Sequence, residues 1–290
     1  MKSSYKNVLL WVAAVFIMIA AVIYQRMTGP TYPYRGNFEL NGETYKHKLL
    51  RSQETTEGAQ IAIPSPNDSA FVAQLHYKRF KTKDSLTVAV MTNDNGELMA
   101  RLPKQPAAGK MEYYITLQRG DWQTRIPAAA EENIVLRYKD PVPGYILWPH
   151  VIFMFFAVLI GMRAGLSAIF EPGNMRKWAF ISLVGMTIGG MILGPIVQKF
   201  AFGEYWTGFP LGSDLTDNKM LIMWLSWIIA GGIIGTRPKP REGMSRIAVA
   251  IAAIVMTAVY LIPHSMQGSE LDYDKLDKGV DPKEAIGTGD

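Results

Sequence analysis

The chain of 290 residues contains no cysteine. That excludes a disulfide framework, a thiolate metal site and covalent haem attachment through a CxxCH pair. Any metal or haem would have to be held by imidazole, thioether, phenolate or carboxylate groups. Histidine is scarce as well, with four residues, His47, His76, His150 and His264. No glycine-rich phosphate loop, nucleophile elbow or dinucleotide fingerprint is present. The interval from about Gln25 to Val142 also lacks any long apolar run and reads as a separate domain.

Long apolar runs lie on either side of that interval. They are Val8 to Tyr24, Tyr145 to Met162, Trp178 to Val197, Met220 to Gly235 and Ile247 to Pro263. Each approaches the about 20 residues that a helix needs to cross about 30 Å of hydrocarbon. The formal charge of +5 would raise the question of nucleic acid in a soluble protein, but the basic residues flank the runs. Lys2 and Lys6 precede the first, Arg163, Arg176 and Lys177 flank the turn after the second, and Arg237, Lys239, Arg241 and Arg246 flank the turn after the fourth. The positive-inside rule puts all three clusters in the cytoplasm of a bacterial inner-membrane protein. The N-terminus is then cytoplasmic, while the intervening domain, the loop after the third run and the C-terminus are extracytoplasmic. Membrane lipid is an expected partner, and nucleic acid is not. The first run is longer than a usual signal-peptide core and no A-x-A site follows it, so it is expected to stay as an anchor.

Between Tyr34 and Val142 short alternating segments replace the long runs. Asn41-Gly42, Asn93 to Gly96 and Arg119 to Asp121 are hairpin turn signals, because tight turns favour residues that tolerate positive φ. Seven to nine short strands are expected, forming an antiparallel β-sandwich of immunoglobulin-like type. His47 and His76 sit among lysines and read as ordinary strand-surface histidines. Pro141-Val142-Pro143-Gly144 then ends the sandwich, since proline cannot donate to a ladder. Small-xxx-small glycine spacing in the later runs allows close helix approach. The fold class is therefore membrane α + β. Residues 1–28 form an anchor and 29–143 a β-sandwich that docks other envelope proteins. A four-helix transmembrane bundle over 144–264 carries an extracytoplasmic loop, 198–219, and 265–290 form a tail.

The stretch Phe202 to Lys219, FGEYWTGFPLGSDLTDNK, is longer than a bare helix link. Two histidines in similar contexts, LWPH ending at His150 and LIPH ending at His264, should emerge at the same surface. Two imidazoles with Asp214 and Glu270 would suit a divalent metal ion. Glu204 and Asp272 add carboxylates on that side, with Ser265 and Tyr273 beneath the loop. Asp214 and Asp217 also stand where a helix cap is needed, and capping is the better explanation for Asp217. Tyr205, Trp206, Trp148 and Tyr260 fit either a site wall or an interfacial aromatic belt.

The order of outer histidine, two spans, aromatic loop, two spans and outer histidine resembles the haem-handling membrane proteins of cytochrome c maturation. In those proteins a tryptophan-rich external loop lies between two histidines. The resemblance implies haem b, with His150 and His264 as axial ligands and Tyr205 and Trp206 against the porphyrin. Gly208-Phe209-Pro210 stands where that family carries a second tryptophan, and no sixth span follows His264. Haem handling or electron transfer is one functional expectation. A non-enzymatic accessory or scaffold subunit of an envelope complex is the other.

Overall fold

The apolar run behind Lys6 folds as a single helix, α1 (Lys2–Thr28), in the computed structural model, which describes residues 2–66, 68–238, 242–264 and 268–287. Lys239, Arg241 and Ser265 lie outside the described residues. The chain divides into a helical unit, Met1–Gly29 with Val142–Gly268, and a strand-rich unit, Pro30–Pro141 with Ser269–Gly287.

In the strand-rich unit, alternating apolar residues give β1 (Tyr34–Leu40), β2 (Glu43–Leu49), β3 (Ser52–Glu54), β4 (Gln60–Pro64), β5 (Val72–Arg79) and β6 (Thr87–Val90). They continue in β7 (Thr92–Asp94), β8 (Glu97–Arg101), β9 (Lys110–Arg119), β10 (Trp122–Ile126) and β11 (Ile134–Lys139). The largest sheet runs β3-β11-β9-β5-β6, with β10 also paired to β9; β4-β8-β7 and β1-β2 form smaller sheets. All pairs are antiparallel except β3 with β11. The Asn41-Gly42 and Asn95-Gly96 turns form with positive φ at both residues, as their sequences predict. Along β9, Met111, Tyr113, Ile115 and Leu117 are buried, while Glu112, Tyr114 and Thr116 point to the other face. That period-two pattern places the odd residues in one core with Phe38, Leu49, Ile61, Leu75, Leu98 and Leu136, so the three sheets share their apolar interior.

The helical unit continues with α2 (Gly144–Phe170), a 3₁₀ turn (Pro172–Asn174) and α3 (Met175–Met186). A π-helical segment (Thr187–Leu193), α4 (Gly194–Phe202), α5 (Leu215–Ile234) and α6 (Gly243–Leu261) follow. Pro149 lies inside α2, about one and a half turns from its start at Gly144.

Among the described residues four helical stretches are long and apolar enough to cross a membrane: Tyr5–Thr28, Gly144–Phe170, Pro172–Phe202 and Gly243–Leu261. Five were expected. The difference is α5, which at 20 residues is long enough, but whose first turn carries Asp217, Asn218 and Lys219 and so dilutes its apolar character. Its interior residues Met223, Trp227 and Ala230 nevertheless share a core with Val158 and Met162 of α2, Met186 of α3 and Met256 of α6.

α1 is also part of this core, through Ala14, Met18 and Ala21, rather than a peripheral anchor. Arg163, expected beyond the end of its run, is fully buried within α2. Its guanidinium is paired with Glu171 at 2.8 Å and Asn7 of α1 at 2.7 Å, bonded to Ser167 and set over the Trp11 ring. A buried charge persists only with such partners. Close approach explains the π-segment glycines: a Cβ on Gly189 would lie 2.8 Å from the Phe153 Cβ and 3.0 Å from the Met154 nitrogen.

After Gly268 the chain rejoins the strand-rich unit as β12 (Glu270–Leu271), α7 (Tyr273–Asp277) and β13 (Ile286–Gly287). The sequence suggests a polar tail here, but the segment is anchored. The Tyr273 hydroxyl bonds to both backbone groups of Lys110 at 2.9 Å, the Leu271 N–H reaches the Ala108 carbonyl at 3.3 Å, and Arg79 forms a fork on Asp277 at 2.7 and 2.8 Å. The anchors are spaced through a polar segment with no periodic pattern, which is why hydropathy does not reveal them.

Candidate functional site

The loop between α4 and α5 is held by the first turn of α5. Asp214 is the N-cap: its carboxylate accepts from Thr216 N at 2.8 Å and Asp217 N at 3.3 Å. Of the two acids that stand where a cap is needed, Asp214 takes the role, although capping is the better sequence reading of Asp217. Asp217 instead reaches back to accept the Thr207 N–H at 2.7 Å, and Asn218 accepts the Phe209 N–H at 2.7 Å. Gln198 of α4 donates to the Thr207 hydroxyl at 2.7 Å, and Asp214 N donates to the Thr207 carbonyl at 3.0 Å. Gly208 is required by packing, since a Cβ there would lie 2.6 Å from the Asp217 Cβ.

Lys219, one turn further, is 2% exposed. Its ammonium donates to the carbonyl of Ile262, lies 3.5 Å from that of Pro263 and 3.3 Å from His264 Nδ1. An ammonium only donates, so its contact makes Nδ1 of His264 the acceptor and leaves the proton on Nε2. Burial, then the Lys219 and His150 charges, push His264 down to about 4. The residue as a whole is exposed, so water offsets part of the burial, and the Lys219 contact is the firmer cause.

His150, half-buried in α2, has Nδ1 2.8 Å from the Gly189 carbonyl. A carbonyl only accepts, so Nδ1 carries the proton and Nε2 the lone pair. The two imidazoles therefore have opposite tautomers. His150 offers Nε2 as an acceptor, whereas His264 has both nitrogens assigned.

The other expected site residues are dispersed among structural roles. Tyr205 is exposed beneath the Lys199 ammonium, 5.2 Å from its ring centre, and Trp206 Nε1 donates to the Phe209 carbonyl at 3.0 Å. Trp224 donates to the Thr187 hydroxyl at 2.9 Å and Trp227 packs on the Met256 sulfur at 3.4 Å, both packing roles within the helical unit. Glu270 belongs to the strand-rich unit, where it pairs with Lys110 and, at 3.2 Å, with Lys81. Burial alone raises its carboxyl, but the bonds and charges of Lys110 and Lys81 carry it below the usual value. At Lys110 burial wins instead and pushes the amine down, so the pair gains less than its geometry suggests; the carboxylate direction is the firmer one, because both lysines act on it. Asp272 caps α7, accepting from Asp274 N at 3.0 Å and Lys275 N at 3.1 Å.

Among the described residues no group of three or more His, Asp or Glu side chains could hold a metal ion. Of the four expected ligands, Asp214 caps α5 within the helical unit and Glu270 pairs with Lys110 and Lys81 within the strand-rich unit. His47, expected at a strand surface, is buried against Tyr34 in a parallel stack at 5.9 Å, and Gly36 across the ladder makes room for its ring. Burial pushes that imidazole down and keeps it neutral. His76 stacks on Tyr114 at 4.5 Å and meets Thr116 Oγ1 at 2.9 Å.

No protein-family model and no curated protein matches the chain. A solved structure titled "Crystal structure of Br derivative BhCBM56" aligns with 35% of this chain and 99% of its own, at 18% identity and a TM-score of 0.25. A score of that size is too low to assign a fold.

Proposed function

We propose that the chain is a bacterial inner-membrane accessory or scaffold protein. Its strand-rich unit, an immunoglobulin-like sandwich on the extracytoplasmic side, serves as a docking domain for other envelope proteins. One observation carries this reading: Asp214, Asp217, Asn218 and Lys219 all bond to backbone groups of their own chain. Side chains fixed in that way hold segments of the chain together.

The N-terminus is cytoplasmic in this reading, and α5 crosses beside the four longer helices. Ile222, Leu225, Ile228 and Ile229 of α5 are exposed, as lipid-facing side chains would be. Reporter fusions after Gly144, near Gly212 and after Gly268 are expected to lie outside, and fusions near Gly173 and Pro240 inside. An inside signal at Gly212 would remove the topology on which the docking role depends.

A second reading is favoured by the His150 tautomer alone. With Nδ1–H on a backbone carbonyl, Nε2 presents the lone pair through which imidazole binds metal or haem iron. In this reading His150 is a single protein ligand to haem b or a divalent ion, and His264 is not the second. Bound there, the group would supply redox or Lewis-acid chemistry, while this chain's part is to fix the ring on Gly189. Purified full-length protein separates the two readings. A Soret band or stoichiometric metal that disappears in His150→Ala supports a cofactor site, and absence of both supports the accessory role.

A further inference from the structure

The outward face of the large sheet carries a pocket of about 760 Å³, lined by Tyr114, Thr116, Gln123, Arg125, Ala128 and Asn133 among others. Three strands build its floor. His76 of β5 lies directly opposite Tyr114 of β9, and Arg125 of β10 lies opposite Thr116, one diagonal step from Tyr114. The Tyr114 ring therefore stacks with His76, and the Arg125 guanidinium lies 4.1 Å from its centroid. Asn133 accepts from Arg125 Nη2 and holds the guanidinium in plane.

This arginine is positioned without an anion. Among the described residues no carboxylate pairs with Arg125, and its Nε–H is buried without a hydrogen-bond partner. The neighbouring carboxylate, Glu112, is already taken by Lys78 at 3.2 Å and Asn133 at 3.0 Å. Burial and then the Arg125 charge push His76 down, so this imidazole neither competes for an anion nor supplies one. Planar guanidinium donors match carboxylate geometry, and a guanidinium fixed by stacking loses little freedom on binding. Gln123 and Thr116 add neutral donors and acceptors beside it, and the small Ala128 and Ala129 leave the space open.

We propose that this pocket binds a carboxylate carried on a small polar body, with Arg125 as the anion-binding group and Gln123 and Thr116 reading the adjoining hydroxyl or amide groups. Such a carboxylate can come from an acidic peptide group or from an acidic sugar. The pocket stands whether or not the unit docks on envelope proteins, because binding is read on the purified chain, whereas the accessory reading fails on a cofactor spectrum.

Isothermal titration of full-length protein in detergent with N-acetyl-L-glutamate and with D-glucuronate tests it, with N-acetyl-L-glutamine and D-glucose as neutral counterparts. The expected result is saturable binding of at least one acid, about tenfold or more tighter than its neutral counterpart. Which acid binds identifies the source. Arg125→Gln and Arg125→Lys should each lose about tenfold, since an ammonium cannot keep both the stack and the planar fork. Gln123→Ala, which leaves the apolar core untouched, should lose a smaller factor and serves where the arginine variants unfold. Equal binding of acid and neutral forms, unchanged binding in a folded Arg125→Gln variant, or no binding of any of the four at millimolar concentration would overturn the proposal.

Discussion

The α4–α5 loop and the outward face of β9 and β10 contain similar residue types, aromatics beside amides and charges, but their bonds end in different places. In the first turn of α5 the polar groups close on the chain itself: Asp217 on Thr207, Asn218 on Phe209, Lys219 on Ile262 and His264. On the sheet face Arg125 is equally well held, by Tyr114 and Asn133, yet keeps a buried donor without an acceptor. A dense concentration of polar and aromatic residues therefore does not by itself mark a binding site. A charged group held in place with no counter-ion is the better indicator, as Arg125 is among the described residues.

Substitutions should separate the two regions by their effects on stability. Asp217→Ala leaves the buried Thr207 N–H without its acceptor, at about 1–3 kcal/mol for an orphaned group, and should lower the thermal midpoint most. Asp214→Ala removes an N-cap and should cost about 0.5–2 kcal/mol, seen as a smaller fall. Arg125→Gln should cost about 0.5–1 kcal/mol, the size of an exposed cation–π contact, while removing ligand binding. If Arg125→Gln destabilised the protein as much as Asp217→Ala, the contrast between consumed and spare bonding capacity would fail.

A smaller effect concerns the segment after Gly268. The Glu270 and Asp277 carboxyls are both held low, Asp277 by its fork from Arg79 and Glu270 by Lys110 and Lys81 against the pull of burial. Depressed values stabilise docking above the unfolded carboxylate values of 4.5 and 3.8, and that stability is lost as pH falls through the folded ones. Proteolytic cleavage within 269–287 should therefore stay slow near neutral pH and accelerate below about pH 4. Equal cleavage at both pH values would show that Tyr273 and Leu271 hold the segment without the ion pairs.

Period and turn chemistry made much of this fold legible. Asn41-Gly42 and Asn95-Gly96 announce their turns because positive φ at two successive residues suits few others, and the apolar runs announce their helices through length. α5 exceeded its apolar run because helix boundaries follow capping and loop bonds, here Asp214 and Asp217, rather than hydropathy. The Asp-Leu-Thr-Asp-Asn-Lys stretch did signal a helix start, but which acid caps it depends on where Thr207 lies. Arg125 gave no signal, because its partners Tyr114 and Asn133 meet it only through strand register and a loop. The sequence offered His150 and His264 as a pair because their contexts are alike, but what each ring bonds to was not legible in it. Their tautomers were invisible, since Gly189 and Lys219 set them from other helices.

Amide hydrogen exchange across residues 203–214 of the purified protein, with no cofactor added, tests most directly whether the loop is a structural clamp. The expected result is slow exchange at Thr207 and Phe209, whose N–H groups are held by Asp217 and Asn218, with both accelerating in Asp217→Ala. Exchange at free-loop rates in the wild-type protein, slowed only when haem or zinc is supplied, would contradict the clamp and make the loop a ligand site.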